Sequence, residues 1–262
     1  MSVPFSRTAF AEIVRDAASR IRTAFDDPIA VERKGDGSPV TATDRAVDAF
    51  LREALGRLVP DAGWLSEESA DEPSRLTREL VWIVDPIDGT KQFVRHIPEL
   101  AVSVALARGT QPIAAAVVNP VNGEEGFWTL GTTPEFHGLE RAASPALLDA
   151  AVAIVSRSEM ESGDLAGCEG IVGSLRPLGS VAYKLLRIAA GADAVTFSVR
   201  PKSEWDVCAG AALVAAGGGV YLRLDGRPVL FNQPVPEIPS GAVAGPEALA
   251  RALRDRLRAR GR

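Results

Sequence analysis

Cysteine and histidine are scarce in this chain, with two of each among 262 residues. Cys168 and Cys208 make neither a disulfide framework nor a zinc-ligand set, so a reducing, cytoplasmic setting is expected, with Cys208 a buried thiol in a helical pattern. His96 and His137 match no ligand or catalytic pattern and read as loop histidines bonded to backbone. No apolar run approaches the roughly 18 residues that suggest a membrane span. Met1–Arg7 reads as neither signal nor transit peptide, since no apolar segment follows it. Positive charge is not in surplus either: 29 basic residues face 34 acidic ones, net −5, which gives no general electrostatic reason to bind a nucleic-acid polymer or an anionic membrane. Repeats, low-complexity tracts and linkers are absent. What is present is ordinary globular composition, 46% apolar and 24% charged, on a chain long enough to bury a sizeable core.

The most informative stretch is Val81–Thr90 (VWIVDPIDGT). Val81 to Val84 read as a buried strand, and Pro86, which has no N–H to give a ladder, predicts that the strand ends there. Asp85 then sits at a strand tip, with Asp88, Gly89 and Thr90 in a turn. Its glycine allows close backbone approach to a ligand, and its N–H groups are suited to an anion. Two carboxylates beside an anion-binding turn point to metal ions that bridge protein to phosphate.

Around it, apolar spacing predicts an amphipathic helix over 7–25, and the glycine- and charge-rich segment 31–40 reads as a loop or hairpin that can lie over a site. A second helix is capped by Thr41 or Thr43 and ends at Pro60. Asp44 falls in its first turn, where by local pattern alone it complements the helix dipole. A short strand over 63–66 runs into Glu67 and Glu68, which on their own read as a solvated loop. Residues 100–107 and 113–118 pattern as a hairpin of small apolar residues, followed by a strand over 125–130. The polar segment 131–145 is the candidate boundary between subdomains 1–140 and 141–262 of a single domain. Beyond it come strand 151–155, helix 180–190, strand 194–199, helix 205–216, a hairpin over 220–224 and 228–231, strand 240–244 and a helix after Pro246. Asp206 lies in the first turn of its helix, again a position that suits the dipole.

Taken together, WIVDPIDGT (82–90) and Trp205–Asp206 resemble the two signature motifs of the inositol monophosphatase superfamily. Glu67–Ser69 and Thr41–Asp44 match two further segments of that family in order and spacing, so the resemblance covers nearly the whole chain. It implies an α/β fold, a layered αβαβα sandwich, and a phosphomonoesterase that depends on Mg²⁺, two or three ions per site, with Mn²⁺ as a substitute. By the resemblance, Glu67, Asp85 and the carbonyl of Ile87 bind one ion, Asp85, Asp88 and Asp206 a second, and Glu67 with water a third. Lithium inhibition and a homodimer are implied too, with the small-residue strands as a candidate interface. The physical sense stands beside this: Asp44, Glu67, Asp85, Asp88 and Asp206 gathered in one cleft would repel one another unless cations neutralised them, and hard oxygen ligands suit Mg²⁺.

The implied reaction is direct hydrolysis by a metal-activated water. Glu67 and Thr90 help hold or activate that water, Asp44 acts through a further metal-bound water, and the amides of Gly89 and Thr90 cradle the phosphate. An aspartyl-phosphatase of the haloacid dehalogenase type also ends a buried strand in an Asp-rich Gly-Thr turn. Its two aspartates are separated by one residue, whereas Pro86 and Ile87 both intervene here. A non-catalytic binding module on the same fold is the remaining alternative, against which the intact carboxylate set counts.

The substrate is expected to be a small phosphorylated metabolite. Inositol phosphatases usually carry a Glu seven residues before the second-motif Asp, and here that position is Val199. Lys91 and the Lys202–Asp206 form look more like the 3'(2'),5'-bisphosphate nucleotidase branch, which converts adenosine 3',5'-bisphosphate to AMP. Inositol 1-phosphate, histidinol phosphate and sugar phosphates stay as alternatives. Lys34, Lys91, Arg95, Lys184 and Lys202 are candidates to meet a second phosphate, each equally readable as a solvated surface charge. Ser180 and Lys184 are carried over as substrate contacts.

Overall fold

The computed structural model describes residues 3–35, 37–143 and 145–261; Met1, Ser2, Asp36 of the loop over 31–40, Ser144 of the expected boundary, and Arg262 lie outside them. The chain begins with α1 (Arg7–Phe25), a small ladder of β1 (Val31–Arg33) with β2 (Pro39–Thr41), and α2 (Ala42–Leu58). There follow β3 (Gly63–Ser66), a 3₁₀ turn (Pro73–Thr77), β4 (Leu80–Asp88), α3 (Thr90–Val94), β5 (Ala101–Arg108), β6 (Gln111–Val118), β7 (Glu125–Thr129) and β8 (Glu135–His137). Strands β3 to β8 form a six-stranded sheet in sequence order, antiparallel except for the parallel β3–β4 pair. β8 lies inside the segment expected to be a boundary, and is the sixth strand of this sheet.

The rest comprises β9 (Val152–Ser156), α4 (Arg157–Glu161), β10 (Ser174–Leu178), α5 (Val181–Ala189), β11 (Val195–Ser198), β12 (Lys202–Ser203) and α6 (Glu204–Ala216). After these come β13 (Val220–Arg223), β14 (Glu237–Ile238), β15 (Ala242–Gly245) and α7 (Glu247–Ala259). A second sheet has the order β10-β9-β11-β15-β13. The hairpin expected over 220–231 does not form. β13 pairs with β15, and residues 228–231 leave the sheet so that Phe231 can bury its ring in the core and give its N–H to Thr110 O.

Strand alternation explains the layering. On β4, Trp82 and Val84 pack with α1 and α2, while Val81 and Ile83 face the opposite way, against residues of α5 and α6. The second sheet covers the other side of those two helices through Ile154 and Ala244, and α7 closes its far face with Leu249, Leu253 and Leu257. The order is therefore helix, sheet, helix, sheet, helix. The small residues of β5 and β6, expected as a subunit interface, are interior: Ala105, Ala107 and Ala115 sit under α5 and α6, and Ala114 and Ala116 under α1 and α2. Their size lets helices approach the sheet closely; Gly210 of α6 has no room for a Cβ, which would fall 2.5 Å from that of Leu185.

Candidate active site

β4 does not stop at Pro86. It continues to Asp88 through a bulge, with Asp85 opposite Ser103 and Asp88 opposite Ala101, so that Pro86 and Ile87 together face the single residue Val102. Bulges tolerate a residue without an N–H, which is why proline sits there without ending the strand. The extra residue also changes parity. In a regular strand, positions three apart point to opposite faces; one bulged residue returns Asp85 and Asp88 to the same face, beside the first turn of α6, where Asp206 lies. Ser103, on that face too, donates to Trp205 O at 3.0 Å and ties α6 to the sheet.

Carboxylate oxygens of Asp85, Asp88 and Asp206 all lie within 4.8 Å of one another. Asp85 is 1% exposed; its Oδ1 accepts the N–H of Ile87 at 3.0 Å, and its buried Oδ2 has no hydrogen-bond partner among the described residues. Burial, then the charges of Glu67, Asp88 and Asp206, hold the Asp85 carboxyl well above the usual range. Asp206 is pushed well up by burial and by Asp88 and Glu67. An orphaned buried carboxylate oxygen among hard oxygen donors fits a divalent cation of the Mg²⁺ type.

Asp88 has a second duty. Its Oδ2 accepts Ser180 Oγ at 2.7 Å and the N–H of Ala182 at 2.5 Å, capping α5 from more than 90 positions away. Burial raises its carboxyl, and these bonds together with Lys184 partly offset that. Ser180 is held at φ 55°, a region costly for a non-glycine residue, and its Oγ accepts Tyr183 N–H. Gly179 before it cannot carry a Cβ, which would meet Gln92 Cγ at 2.6 Å and Glu99 O at 2.8 Å. Glu99 accepts the N–H of Gly179 at 2.7 Å and a two-pronged bond from Arg157 on α4, which clamps α4 and α5 to the loop after α3.

α2 supplies the third side. Thr41 and Asp44 form a capping box, and Asp44 is fully buried, so it is no solvated dipole partner. Its Oδ1 accepts Thr90 Oγ1 at 3.1 Å, while the same hydroxyl lies 3.1 Å from Ile87 O. Burial raises the Asp44 carboxyl, and bonds from Thr41 and Thr90 oppose the rise. One turn on, Asp48 accepts Ser66 Oγ and Ser69 Oγ, both at 2.5 Å, bracketing Glu67 and Glu68. Asp48 was not foreseen as a site residue; its i, i+4 spacing from Asp44 on one helix face was the available signal. Glu67, raised by burial, meets Lys34 at 2.7 Å, and Lys34 also reaches Glu68 at 2.7 Å. Burial pulls the Lys34 ammonium down, but the two glutamates outweigh this and raise it.

Glu67, Asp85, Asp88, Gly89, Thr90, Lys91, Ser180, Lys184, Lys202 and Asp206 all line one cleft of about 290 Å³. Asp44 and Ile87 stand directly behind it, through Thr90. Lys184 is 4% exposed and donates to Ser180 O at 2.6 Å and Leu178 O at 3.2 Å; burial pulls its ammonium down to about 8, against the pull of Asp88. Lys202 pairs with Glu159 at 2.7 Å. Glu159 is 3% exposed and also accepts Ser198 Oγ and the N–H of Val199. Lys91 is exposed at the rim, and Arg95 faces Glu161 at 3.8 Å. His96 bonds Phe25 O through Nδ1 at 2.6 Å. A larger cavity of about 540 Å³, between Phe136, Arg141 and Gly217–Gly219, holds one carboxylate, Asp193, already paired with Arg176 and Arg187.

A model of the inositol monophosphatase family matches residues 5–258. The chain is 28% identical over 230 residues to a 3'(2'),5'-bisphosphate nucleotidase CysQ of Aggregatibacter actinomycetemcomitans, covering 85% of this chain and 86% of that one. It is 31% identical over 236 residues to an inositol-1-monophosphatase of Rhizobium meliloti (strain 1021), covering 87% and 85%. Among solved structures, an IMPase of Thermotoga maritima superposes with a TM-score of 0.79 at 22% identity, over 97% of this chain and 99% of that one, a likeness of fold.

Proposed function

The chain belongs to the inositol monophosphatase family, whose members hydrolyse phosphate monoesters, and from that premise we propose that the cleft is a Mg²⁺-dependent phosphatase site that favours a 3'(2'),5'-bisphosphate nucleotide over inositol phosphate. Asp85, Asp88 and Asp206, with Glu67 and the carbonyl of Ile87, would hold the ions. Bound Mg²⁺ supplies a Lewis acid that polarises the phosphoryl group and makes water nucleophilic at neutral pH.

The chain's own residues do the rest. The first N–H groups of α3 have no acceptor within the helix, and with Gly89 they receive phosphate oxygens. Thr90 Oγ1 carries one proton, shared between Asp44 Oδ1 and Ile87 O. Its lone pairs are left to accept from the attacking water, which Glu67 orients from the other side. A proton lost by that water passes through the Thr90 hydroxyl to Asp44, whose buried carboxyl is biased toward taking it.

The observation that carries the substrate preference is the character of the cleft wall beyond the carboxylates. Three ammonium groups line it, Lys184 and Lys202 within the wall and Lys91 at the rim. The carboxylate nearest the Val199 position, Glu159, is saturated by three donors and is not offered to sugar hydroxyls. A wall with more cation than free acceptor suits a second anionic group on the substrate. Inositol 1-phosphate remains the competing reading because relatives of both names match about equally well. The test is kcat/KM on adenosine 3',5'-bisphosphate against inositol 1-phosphate, with excess Mg²⁺ and with EDTA. We expect the bisphosphate to win and EDTA to silence both. A preference for inositol 1-phosphate overturns the substrate reading, and full activity in EDTA overturns the metal reading.

A further inference from the structure

The ligand set is divided between chain segments that do not adjoin: Glu67 follows β3, while Asp206 stands in the first turn of α6. One buried cation spans the interval. Arg75, in the 3₁₀ turn that follows the Glu67 loop, is 1% exposed. Its guanidinium grips Asp71 with Nε at 2.6 Å and Nη2 at 2.9 Å, four residues beyond Glu67. Its other contacts are with a distant segment: Nη1 donates to Asn232 Oδ1 at 2.6 Å and Nη2 to Gln233 O at 2.9 Å. The backbone N–H groups of those two residues donate to the carboxylate of Glu204, at 2.5 and 2.9 Å. Glu204 is wholly buried, begins α6, and stands two residues before Asp206. Asn232 is held at φ 56° in this arrangement.

We propose that Arg75 is a positioning residue that sets the separation of Glu67 from Asp206, and with it the affinity of the site for divalent cations. The inference rests on the reading that these carboxylates hold ions. Planar, multidentate bonding makes the guanidinium a rigid spacer, which a flexible ammonium would not be. Partners that orient metal ligands from outside typically matter 10- to 100-fold in affinity when removed.

Two variants test this. Arg75→Met removes the spacer. Asn232→Gly removes only the acceptor of Nη1, since glycine takes the positive φ freely and keeps the N–H to Glu204. Mn²⁺ binding to the full-length protein is titrated by the EPR signal of free Mn²⁺, with circular dichroism and melting curves alongside. The expected result is folded protein with a Mn²⁺ dissociation constant about tenfold or more above wild type. A role confined to holding the fold would lower the melting temperature and leave Mn²⁺ affinity unchanged in protein that is still folded. An unchanged affinity in either folded variant, or failure of both to fold, overturns the proposal. Absence of Mn²⁺ binding by the wild type would instead overturn the metal reading on which it rests.

Discussion

Asp85→Asn is expected to stabilise the protein in EDTA and to weaken it, relative to wild type, in Mg²⁺. Asp85 is buried, its Oδ2 has no partner, and Glu67, Asp88 and Asp206 surround it with charge of its own sign. A buried polar group without a partner costs about 1–3 kcal/mol. The asparagine amide keeps an oxygen for the N–H of Ile87 and turns donors toward the neighbouring carboxylates. At roughly 2–4 °C per kcal/mol for a domain of this size, the variant should melt some 2–12 °C higher in EDTA. With Mg²⁺ about 1,000-fold above its dissociation constant, wild type gains about 4.1 kcal/mol that the variant does not, which exceeds the variant's advantage in EDTA, so the order reverses. The pH dependence has a definite sign. Because burial and like charges raise the Asp85 and Asp206 carboxyls in the folded state, the native protein holds protons that the unfolded chain has released. Stability in EDTA should therefore fall as pH rises above the ordinary carboxylate range, and fall less steeply in the variant. Calorimetric melts in EDTA and in Mg²⁺ at several pH values read all three effects. A lower melting temperature for Asp85→Asn in EDTA, or equal stabilisation of both proteins by Mg²⁺, would refute the reasoning.

Gly179→Ala should cost about 1–3 kcal/mol by overpacking against Gln92 and Glu99, and should depress kcat/KM as α5 shifts; a melting curve and a rate on one sample check both. Asp48→Ala leaves Ser66 and Ser69 without their acceptor, so kcat should drop about 10- to 100-fold with the Glu67 loop misplaced, while an unchanged kcat would show that the loop needs no such anchor. Replacing Lys202 by Met together with Glu159→Gln, so that no buried charge is stranded, should raise KM for adenosine 3',5'-bisphosphate about tenfold, in line with loss of a charged hydrogen bond, and raise KM for a monophosphate less; equal effects on the two substrates would count against a second-anion wall.

Elements with strong local periodicity were legible: the spacing of Phe10, Val14, Ala17 and Ile21 marks α1 over the observed Arg7–Phe25, and the small apolar runs mark β5 and β6. β10 was not. Its residues, SLRPL, alternate polar and apolar weakly and include a proline, and the strand exists because β9 offers a parallel partner that no local pattern announces. Pro86 misled for a related reason. A missing donor ends a strand only where the ladder needs that donor, and the bulge there needs none. The spacing of Asp85 and Asp88 and the motif around Asp206 marked the cleft, but its supports did not show. Arg75 looks like any exposed arginine in sequence; its buried grip on Asn232 spans 157 positions. Glu159 meets Lys202 across 43.

Local pattern set two accounts of Asp44 against each other, helix-terminal charge or functional carboxylate. The structure shows the first, and under the proposed function the two become one account. Asp44 closes the capping box of α2 with Thr41 and accepts Thr90 Oγ1 with its other oxygen, so the bonds that start the helix also orient the carboxylate toward the cleft. Asp88 repeats the device at longer range, ending β4 and capping α5 through Ser180 and Ala182. Such a carboxylate is held still by the helix end it caps, and under the proposed function it would lose less entropy on taking up a ligand. It also cannot be altered for one role alone: a cap of this kind contributes about 0.5–2 kcal/mol. Asp85, with no helix to start and an unsatisfied oxygen, has no such offset. The carboxylates of the site therefore separate by energetics, with Asp85 stabilised least by the fold and, under the proposed function, the one that would depend most on a neutralising cation.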